Sequence, residues 1–297
     1  MKPRAFACYL ALTTGSFGAA VPTHSPSPLE TEICVYGGIA GGVIAAVQPH
    51  RMGRSVILVS PEARLGGLSS GGLGQTDIGN KRAIGGLARE FYERVARHYA
   101  RPEAWNHQAL GTYKSVGQSA TDPGEPAMRT FEPHVAAGIF EDFVRENQLA
   151  VLRGERLDLA RAVEESGARI TAIRLESGRI IRARVFIEAT YEGDPANRIP
   201  FTAPARYDAR HYDLLLRNFE TGLKILLLHN AGMPNLKTNN NTGFSTDFIG
   251  ENYAYPEADF ATRDRIRAAR FACVQGLLST PASRPRVPEK IRTAVAT

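Results

Sequence analysis

The sequence contains very little cysteine. Its 297 residues include only Cys8, Cys34 and Cys273, and no two of these have the spacing of a zinc site or of a C-x2-C or C-x4-C redox pair. A cysteine-based metal centre and the dithiol of a disulfide-reducing enzyme are therefore excluded, and no metal site is expected. Cys34 lies in an apolar run, so we expect it to be a buried strand residue.

Lysine is also scarce, and no stretch is strongly basic. The net charge is +6, but only six of the 36 basic residues are lysines, and the arginines are scattered along the chain. Because no basic run is interleaved with aromatic residues, the charge indicates a solvated surface rather than a nucleic-acid groove. No apolar run reaches the roughly 20 residues that span a bilayer. We therefore expect no nucleic-acid partner and no membrane span; the sequence gives no indication of oligomeric state.

What the chain does contain is a glycine cluster between an apolar strand and a small-residue helix. Residues 32–47 read EICVYGGIAGGVIAAV, and the apolar start predicts a strand buried on both faces. Gly37 and Gly42 hold the outer positions of the G-x-G-x-x-G fingerprint, whereas Ile39 stands at the middle one. Glycines there permit a tight turn and a closely packed helix, whose free N–H groups bind a pyrophosphate. The pattern predicts a dinucleotide site, with a glycine-rich turn that binds nothing as the alternative.

The next predicted strand, over residues 54–60, ends in an unusual residue. In dinucleotide sites of this class an Asp or Glu at that position binds the ribose hydroxyls. This chain has Ser60, with Glu62 shortly after it, and a serine can form only the weaker, uncharged hydrogen bond. The intervening helix contains Pro49, which costs about 3 kcal/mol in a helix interior. We therefore expect that helix to end early.

A second glycine-rich segment follows this strand. It begins at Gly66 and Gly67, ends at Gly74, and leads into TDIGN (76–80) and a predicted helix over 84–99. Flavoproteins use such a segment to lay backbone along the diphosphate and the flavin. Enzymes that bind only a nicotinamide dinucleotide lack it, so the segment argues against a nicotinamide-linked enzyme.

Six segments, spread over residues 31–292, follow one another in the order in which they occur in one enzyme family. They are YGGIAGGVIAA, GRSVILVSPEARLGGLSSGGLGQTDIGN, IGGLAREFYERV, FEPHVAAGIFEDF, GRIIRARVFIEATYEGD and NNNTGFSTDFIGENYAYPEADF. The chain thereby resembles the FAD-dependent oxidoreductase family often labelled xanthan-lyase-like, a branch of the glutathione-reductase-type flavoproteins. The resemblance implies an α/β fold: a Rossmann-like, FAD-binding parallel sheet with an inserted β-meander and a partial, mainly helical second region.

The resemblance also implies where FAD would bind. In the family, an Ala-Thr turn at the end of a core strand returns to the flavin near its diphosphate, and Ala189-Thr190 matches it. No catalytic residue is assigned, because His134 and His211 are more readily structural or solvent-exposed than general bases. The expected cofactor-binding residues are Gly37, Gly38, Ile39, Ala40, Gly41, Gly42, Ser60, Pro61, Gly66, Gly67, Leu68, Ala189 and Thr190.

Local patterns agree with this fold. Apolar residues at helical spacing predict a helix over 131–147, followed by a strand over 149–152. Turn signals at Ser166-Gly167 and Ser177-Gly178 then predict a β-meander near 156–184. The meander feeds a further core strand over 185–188.

The N-terminus resembles a secretory signal. Residues 1–20 carry two early basic residues, an apolar stretch and a small-residue end, and a Pro/Ser linker over 21–30 follows. This predicts a secreted or periplasmic protein, with a cytoplasmic one as the alternative. Beyond the linker we expect a FAD-binding domain over 31–194 and an incomplete substrate or cap region over 195–297.

Two departures from the family pattern bear on function. Asp194 runs directly into Pro195, where relatives have several dozen further residues, and the chain stops at Thr297, before the family's C-terminal return to the cofactor domain. Two functions stay open. The first is a FAD-dependent oxidoreductase that transfers hydride from an unidentified small-molecule substrate to FAD. The second is a truncated, non-catalytic relative, or a gene fragment, that keeps the N-terminal part of the fold without tight FAD binding.

Overall fold

The computed structural model describes residues 27–191 except positions 116 and 168, and residues 251–283. It also describes positions 234, 285, 287–289 and 292–293. Some predictions fall outside the described residues: the signal segment over 1–20, the junction between Asp194 and Pro195, and His211.

Within the described residues, the chain begins with a strand, a helix and a strand, continues with three helices and then four strands, and has a long helix in its second part. In chain order the elements are β1 (Leu29–Tyr36), α1 (Ala40–Arg51), β2 (Val56–Ser60), α2 (Gly67–Gly71), α3 (Gly86–Tyr99), α4 (Pro133–Glu146), β3 (Ala150–Arg153), β4 (Val163–Ser166), β5 (Arg169–Arg174), β6 (Ile180–Glu188) and α5 (Phe260–Ser283). None of the helices that the structure describes is long and apolar enough to cross a bilayer.

The six strands form one mixed sheet in the order β3-β2-β1-β6-β5-β4. β1 lies in the middle and pairs in parallel with β2 on one side and with β6 on the other. β2 pairs in parallel with β3, whereas β5 is antiparallel to both β4 and β6. A parallel core joined to an antiparallel meander confirms the predicted α/β fold.

β6 belongs to both parts of the sheet. Its first residues pair with β5, with Arg182 opposite Ala172. The strand then continues along β1 as far as Glu188, which lies opposite Tyr36. The strand predicted over 185–188 is therefore the second half of a nine-residue strand that begins in the meander.

The two faces of β1 are covered by two separate apolar clusters. Val35 packs with the buried residues of α1, α3 and α4, among them Phe91 and Phe143. Cys34 and Tyr36 point to the other face and pack against residues of the meander such as Leu175. Cys34 is 1% exposed, and burial raises the pKa of its thiol to about 12. The prediction that Cys34 is a buried strand residue is confirmed.

Helices α3 and α4 pack against each other through aromatic side chains. Residues 87, 91, 95 and 99 form the buried stripe of α3, which is the spacing expected of one helix face. The rings of Phe91 and Phe140 stack with their centroids 5.0 Å apart. The helices predicted over 84–99 and 131–147 are confirmed, with each beginning two residues later than predicted.

An ion-pair cluster joins α1, α3 and α4 at their surface. Glu90 on α3 accepts hydrogen bonds from Arg51 of α1, at 2.7 and 3.2 Å, and from Arg94, at 2.7 and 3.2 Å. Arg94 also donates to Glu146 on α4. Hydrogen bonds from Arg51 and then Arg94 lower the pKa of Glu90 from its ordinary 4.5 to about 2.

Two sequence predictions are wrong at the ends of elements. Pro49 does not end α1 early, because it lies in the last turn, where the helix loses only one N–H donor. The Pro49 carbonyl still accepts from the N–H groups of Met52 and Arg54. The linker predicted to reach residue 30 also ends sooner, since β1 begins at Leu29, which lies opposite Ile181 of β6.

Candidate functional site

The turn between β1 and α1 is held together by contacts that leave no room for side chains. Gly37 has a φ of +118°, and a Cβ there would lie 2.2 Å from the carbonyl oxygen of Ala189. A Cβ on Gly42 would lie 1.8 Å from the carbonyl oxygen of Gly37. The first turn of α1 thus rests directly on the strand ends, as the predicted glycine fingerprint requires.

The N-terminus of α1 is suited to an anion. Ile39 precedes the helix, no side chain caps it, and no acidic residue lies in its first turn. The free N–H groups and the positive end of the helix dipole therefore meet no negative charge from the first turn. Gly41 is exposed, and a Cβ on it would meet nothing within 4 Å.

The second glycine segment is fastened to the first. The N–H of Gly66 donates to the carbonyl of Gly38 at 2.8 Å, and Gly66 forms a parallel bridge with Ile39. A Cβ on Gly67 would lie 2.9 Å from the Cβ of Ile39. Ile39, which departs from the fingerprint, therefore packs on Gly67, where only a glycine leaves it room.

Ser60 ends β2, as predicted, but its side chain points beneath the glycine turn. The residue is fully buried, and its hydroxyl donates to the carbonyl of Glu62 at 2.7 Å. A Cβ on Gly38 would lie 2.2 Å from the Ser60 oxygen, so Ser60 packs beneath the glycine turn. The Ser60 hydroxyl is thus bonded within the chain, and Ser60 is not among the described residues that line the cavity. Glu62, which is exposed, lies at the end of β2 and faces the cavity instead.

A cavity of about 360 Å³ lies over the glycine turn. Of the predicted site residues, six line it: Gly37, Gly38, Ile39, Pro61, Gly67 and Thr190. The other described lining residues are Glu62, Arg64, Arg156, Tyr191, Tyr255, Phe260, Arg263 and Arg267. The sequence-based prediction assigned none of these eight to the site. Tyr191, Tyr255 and Phe260 fall in segments that carry the family resemblance, but nothing in those segments marks them as lining residues.

The remaining predicted residues lie around the cavity rather than in its wall. Ala40 is half-buried in the first turn of α1, and Gly66 is buried against the ring of Phe140. Leu68 is 54% exposed, and its N–H donates to the hydroxyl of Tyr191 at 2.9 Å. Ala189 lies behind Gly37, and its own N–H donates to the Tyr36 carbonyl at 2.7 Å.

Thr190 is held by the last residue of β6. Its N–H and its hydroxyl both bond the same carboxylate oxygen of Glu188, at 2.7 and 2.6 Å. This pair fixes the turn that leads from β6 to the cavity. Gly37 and Gly42, which follow β1, and Thr190, which follows β6, thereby come together at the carboxyl ends of two neighbouring parallel strands.

The cavity wall carries a net positive charge. Its described lining includes four arginines and one acidic residue, Glu62. Arg156 is balanced by Asp264, to which it donates two hydrogen bonds at 2.7 and 2.9 Å. The bonds from Arg156 lower the pKa of Asp264. The charge and the exposed helix N-terminus together favour an anionic ligand.

A comparison with family models matches residues 32–198 to the family described as FAD dependent oxidoreductase. The chain belongs to the FAD dependent oxidoreductase family. The family's cofactor is FAD, which confirms the cofactor expected from the sequence. The match also confirms the family resemblance. The match covers the sheet, the glycine turn and the Ala189-Thr190 turn.

Comparison with curated proteins gives no match. Among solved structures, L-proline dehydrogenase from P. horikoshii is 13% identical with a TM-score of 0.36, and 57% of this chain aligns with 55% of that one. A flavin-containing monooxygenase from Stenotrophomonas maltophilia is 21% identical with a TM-score of 0.31, over 54% of this chain and 38% of that one. The bacillithiol disulfide reductase Bdr of Staphylococcus aureus is 15% identical, with a TM-score of 0.32, over 55% of this chain and 38% of that one. This chain thus spans about half or less of these solved chains, and no conclusion about function follows from them.

The residues present fit the family's cofactor at the glycine turn. Gly37 and Gly42 keep the backbone close where a Cβ would collide with backbone atoms. The uncapped helix end and the arginines of the wall supply donors and positive charge for a diphosphate. This fit rests on the geometry of the chain itself.

Proposed function

We propose that this chain binds FAD over the β1–α1 turn and serves as an oxidoreductase that transfers hydride from a small-molecule substrate to FAD. The observation that carries the proposal is the glycine turn: Gly37 and Gly42 are packed against backbone atoms at the uncapped N-terminus of α1. Such a turn costs conformational entropy and is of use where another molecule must approach the backbone. Residues 31–194 form the proposed FAD-binding unit.

The backbone of the glycine turn is proposed to hold the diphosphate. Its donors are the N–H groups at the start of α1, over residues 39–42, with the segment 66–68 beside them. Thr190, fixed by Glu188, borders the same space. Glu62 replaces Ser60 as the proposed acceptor for the ribose hydroxyls, because it follows β2 and lines the cavity.

The size of the cavity limits what the described residues hold. A volume of about 360 Å³ lies at the lower end of the roughly 300–1,000 Å³ typical of small-molecule sites. It suits the nucleotide half of a dinucleotide better than a whole one. When bound, FAD supplies the hydride acceptor, and the residues of this chain bind and orient it.

A second candidate, a non-catalytic relative without tight FAD binding, is favoured by one specific observation. The hydroxyl of Tyr191 accepts the Leu68 N–H and lies 2.4 Å from the place of a Cβ on Gly67. One backbone N–H donor of the second glycine segment, that of Leu68, is thus already hydrogen-bonded within the chain. A ligand that uses the Leu68 amide has to displace this hydroxyl.

The visible spectrum of the purified 297-residue chain separates the two candidates. We expect stoichiometric flavin absorbance, retained after gel filtration with added FAD and bleached by dithionite. Gly37→Ala is the matched variant. Its methyl group would lie 2.2 Å from the Ala189 carbonyl oxygen, and its backbone would have to adopt a φ of +118°, which alanine rarely does. This variant should therefore lose the flavin absorbance. A colourless wild-type protein that ignores added FAD would overturn the proposal in favour of the non-catalytic relative.

Export is proposed separately. The basic start, apolar stretch and small-residue end of residues 1–20 support a secreted or periplasmic location. N-terminal sequencing of the protein from the extracellular or periplasmic fraction tests this. A mature protein that begins near residue 21 is the expected result, and an intact N-terminus found only in the cytoplasm would contradict it.

A further inference from the structure

The segment over residues 255–267 forms one wall of the cavity, although it lies far from the glycine turn in the sequence. Tyr255, Phe260, Arg263 and Arg267 all line the cavity. The segment is attached to the loop between β3 and β4 by the paired hydrogen bonds from Arg156 to Asp264. The Arg156 guanidinium also lies over the ring of Phe260, 5.0 Å from its centroid. Two kinds of contact thus hold this wall in place.

Arg263 fixes the shape of the wall from within. The residue is only 3% exposed. Its Nε donates to the carbonyl of Tyr255 at 3.1 Å and its Nη2 to the carbonyl of Pro256 at 2.8 Å. The guanidinium lies over the rings of Tyr255 and Phe260 as well. Arg263 therefore acts as a positioning residue that ties the loop before α5 to its first turn.

Arg267 is held differently, and part of its guanidinium is not used by the protein. Its Nε donates to the hydroxyl of Tyr255 at 2.7 Å, and its Nη1 lies 2.6 Å from a carboxylate oxygen of Glu62. Within the part of the chain that the structure describes, Nη2 donates no hydrogen bond. The side chain is 45% exposed and lines the cavity. A guanidinium that the protein holds at two nitrogens, with N–H donors left over at the third, can donate hydrogen bonds to the oxygen atoms of a ligand.

The neighbour of Arg267 indicates which end of a dinucleotide it meets. Glu62 follows the end of β2, and in this kind of fold the ribose of the adenosine half lies at the end of that strand. Arg267 is in contact with Glu62. It therefore lies on the adenosine side of the glycine turn.

We propose that Arg267 is a cofactor-binding residue that contacts the ribose and phosphate oxygens of the AMP half of FAD, and that residues 255–267 form the wall on that side. This inference rests on the proposed FAD function. It assigns a binding role to a part of the chain outside the segment matched to the family, residues 32–198. Tyr255, through its hydroxyl, positions the guanidinium.

The test compares three ligands that differ in which half of FAD they carry. Binding to the full chain is measured by titration calorimetry for FAD, for FMN, which lacks the AMP half, and for ADP-ribose, which lacks the flavin. Arg267→Met should weaken FAD and ADP-ribose about tenfold and leave FMN unchanged. Arg267→Lys should fall between Met and wild type, since Lys keeps the charge but not the fork of donors.

Two further variants provide a control and a test of the positioning role of Tyr255. Arg265→Met removes a nearby arginine that bonds Thr262 and does not line the cavity, and should bind all three ligands like wild type. Tyr255→Phe removes only the hydroxyl that orients Arg267, and should weaken FAD and ADP-ribose about threefold. Circular dichroism and thermal melts establish that each variant is folded, and Arg267→Gln takes the place of any Met variant that is not.

The outcomes separate this inference from the function on which it rests. If the wild-type chain binds no FAD, the proposed function fails and this inference fails with it. If the wild type binds FAD but Arg267→Met binds FAD and ADP-ribose equally well, only the inference is overturned. The same holds if Arg267→Met weakens FMN as much as FAD, because the residue then does not discriminate the AMP half.

Discussion

Replacing Gly42 by alanine should separate α1 from the strands that it rests on. The added methyl group would lie 1.8 Å from the Gly37 carbonyl oxygen and 3.0 Å from its carbon, and real Cβ contacts under 3.0 Å are essentially not seen. The helix and the turn must therefore part by about 1.2 Å, since both partners are backbone. A shift of that size moves every N–H group at the start of α1 relative to the cavity.

Two opposing terms set the expected stability change. Alanine is better than glycine in a helix by about 1 kcal/mol, and forcing a methyl group into a packed contact costs about 1–3 kcal/mol. We expect Gly42→Ala to lower the free energy of unfolding by about 0–2 kcal/mol. FAD affinity should fall by at least about tenfold, or 1.4 kcal/mol, because the displaced donors no longer converge on the diphosphate.

The assay is a pair of measurements on one set of proteins: urea unfolding followed by circular dichroism, and FAD titration followed by flavin fluorescence. Gly138→Ala is the matched control, because Gly138 lies on α4, is exposed, and has open space around the position of a Cβ. The free energy of unfolding of Gly138→Ala should exceed that of wild type by up to about 1 kcal/mol, and this variant should bind FAD like wild type. If Gly42→Ala binds FAD as tightly as Gly138→Ala does, the close approach of α1 to the turn is not what forms the site.

Three further predictions concern the fold. Glu90→Gln should lower the free energy of unfolding by about 1 kcal/mol at pH 7. Because the folded-state pKa of Glu90 is lowered to about 2, this difference from wild type should persist above about pH 4.5 and vanish as the pH falls towards 2. Urea unfolding at several pH values measures it. Cys34, with a thiol pKa raised to about 12, should resist maleimide labelling at pH 8 in the folded protein and react in urea, as read by peptide mapping. Phe140→Ala should lower the free energy of unfolding by about 3–5 kcal/mol, because the side chain is 2% exposed and packs against Phe91 and Gly66.

Each of these has its own control. The pH series for Glu90→Gln would contradict the ion-pair cluster if its difference from wild type stayed constant from pH 7 to pH 2. Cys273, which is half-buried, serves as the reference thiol for labelling; equal labelling of Cys34 and Cys273 under native conditions would show that Cys34 is accessible. Phe271→Ala, on a side chain that is 64% exposed, should change stability by less than about 0.5 kcal/mol.

The sequence was sufficient to predict the elements whose signals are local. Val35 and Cys34 face opposite clusters as expected of a strand buried on both sides. The turn signals at Ser166-Gly167 and Ser177-Gly178 fall at the ends of the strands of the meander, where β4 ends at Ser166 and β6 begins at Ile180. Gly37 and Gly42 reveal a close backbone approach through their lack of a side chain.

What the sequence did not reveal depends on side-chain direction and on long-range packing. Ser60 stands at the right point of β2, but its side chain points beneath Gly38, and a period-2 pattern alone could not show that for the last residue of a strand. The sequence predicts that Pro49 interrupts a helix interior, whereas it lies in the final turn of α1. Arg267 could not be placed, because no local pattern connects it to Glu62, which is some 200 residues earlier in the chain.

The dual role of β6 has a consequence for how the protein is made. Leu29 of β1 pairs with Ile181 of β6, which lies about 150 residues further along the chain, so the loop that this pairing closes is long and its contacts are non-local. The Ala189 carbonyl against which Gly37 packs emerges from the ribosome only after the whole of β6. A nascent chain that ends before residue 189 therefore carries the glycine fingerprint but not the packed turn, and the proposed FAD site can form only after the last strand of the sheet has been made.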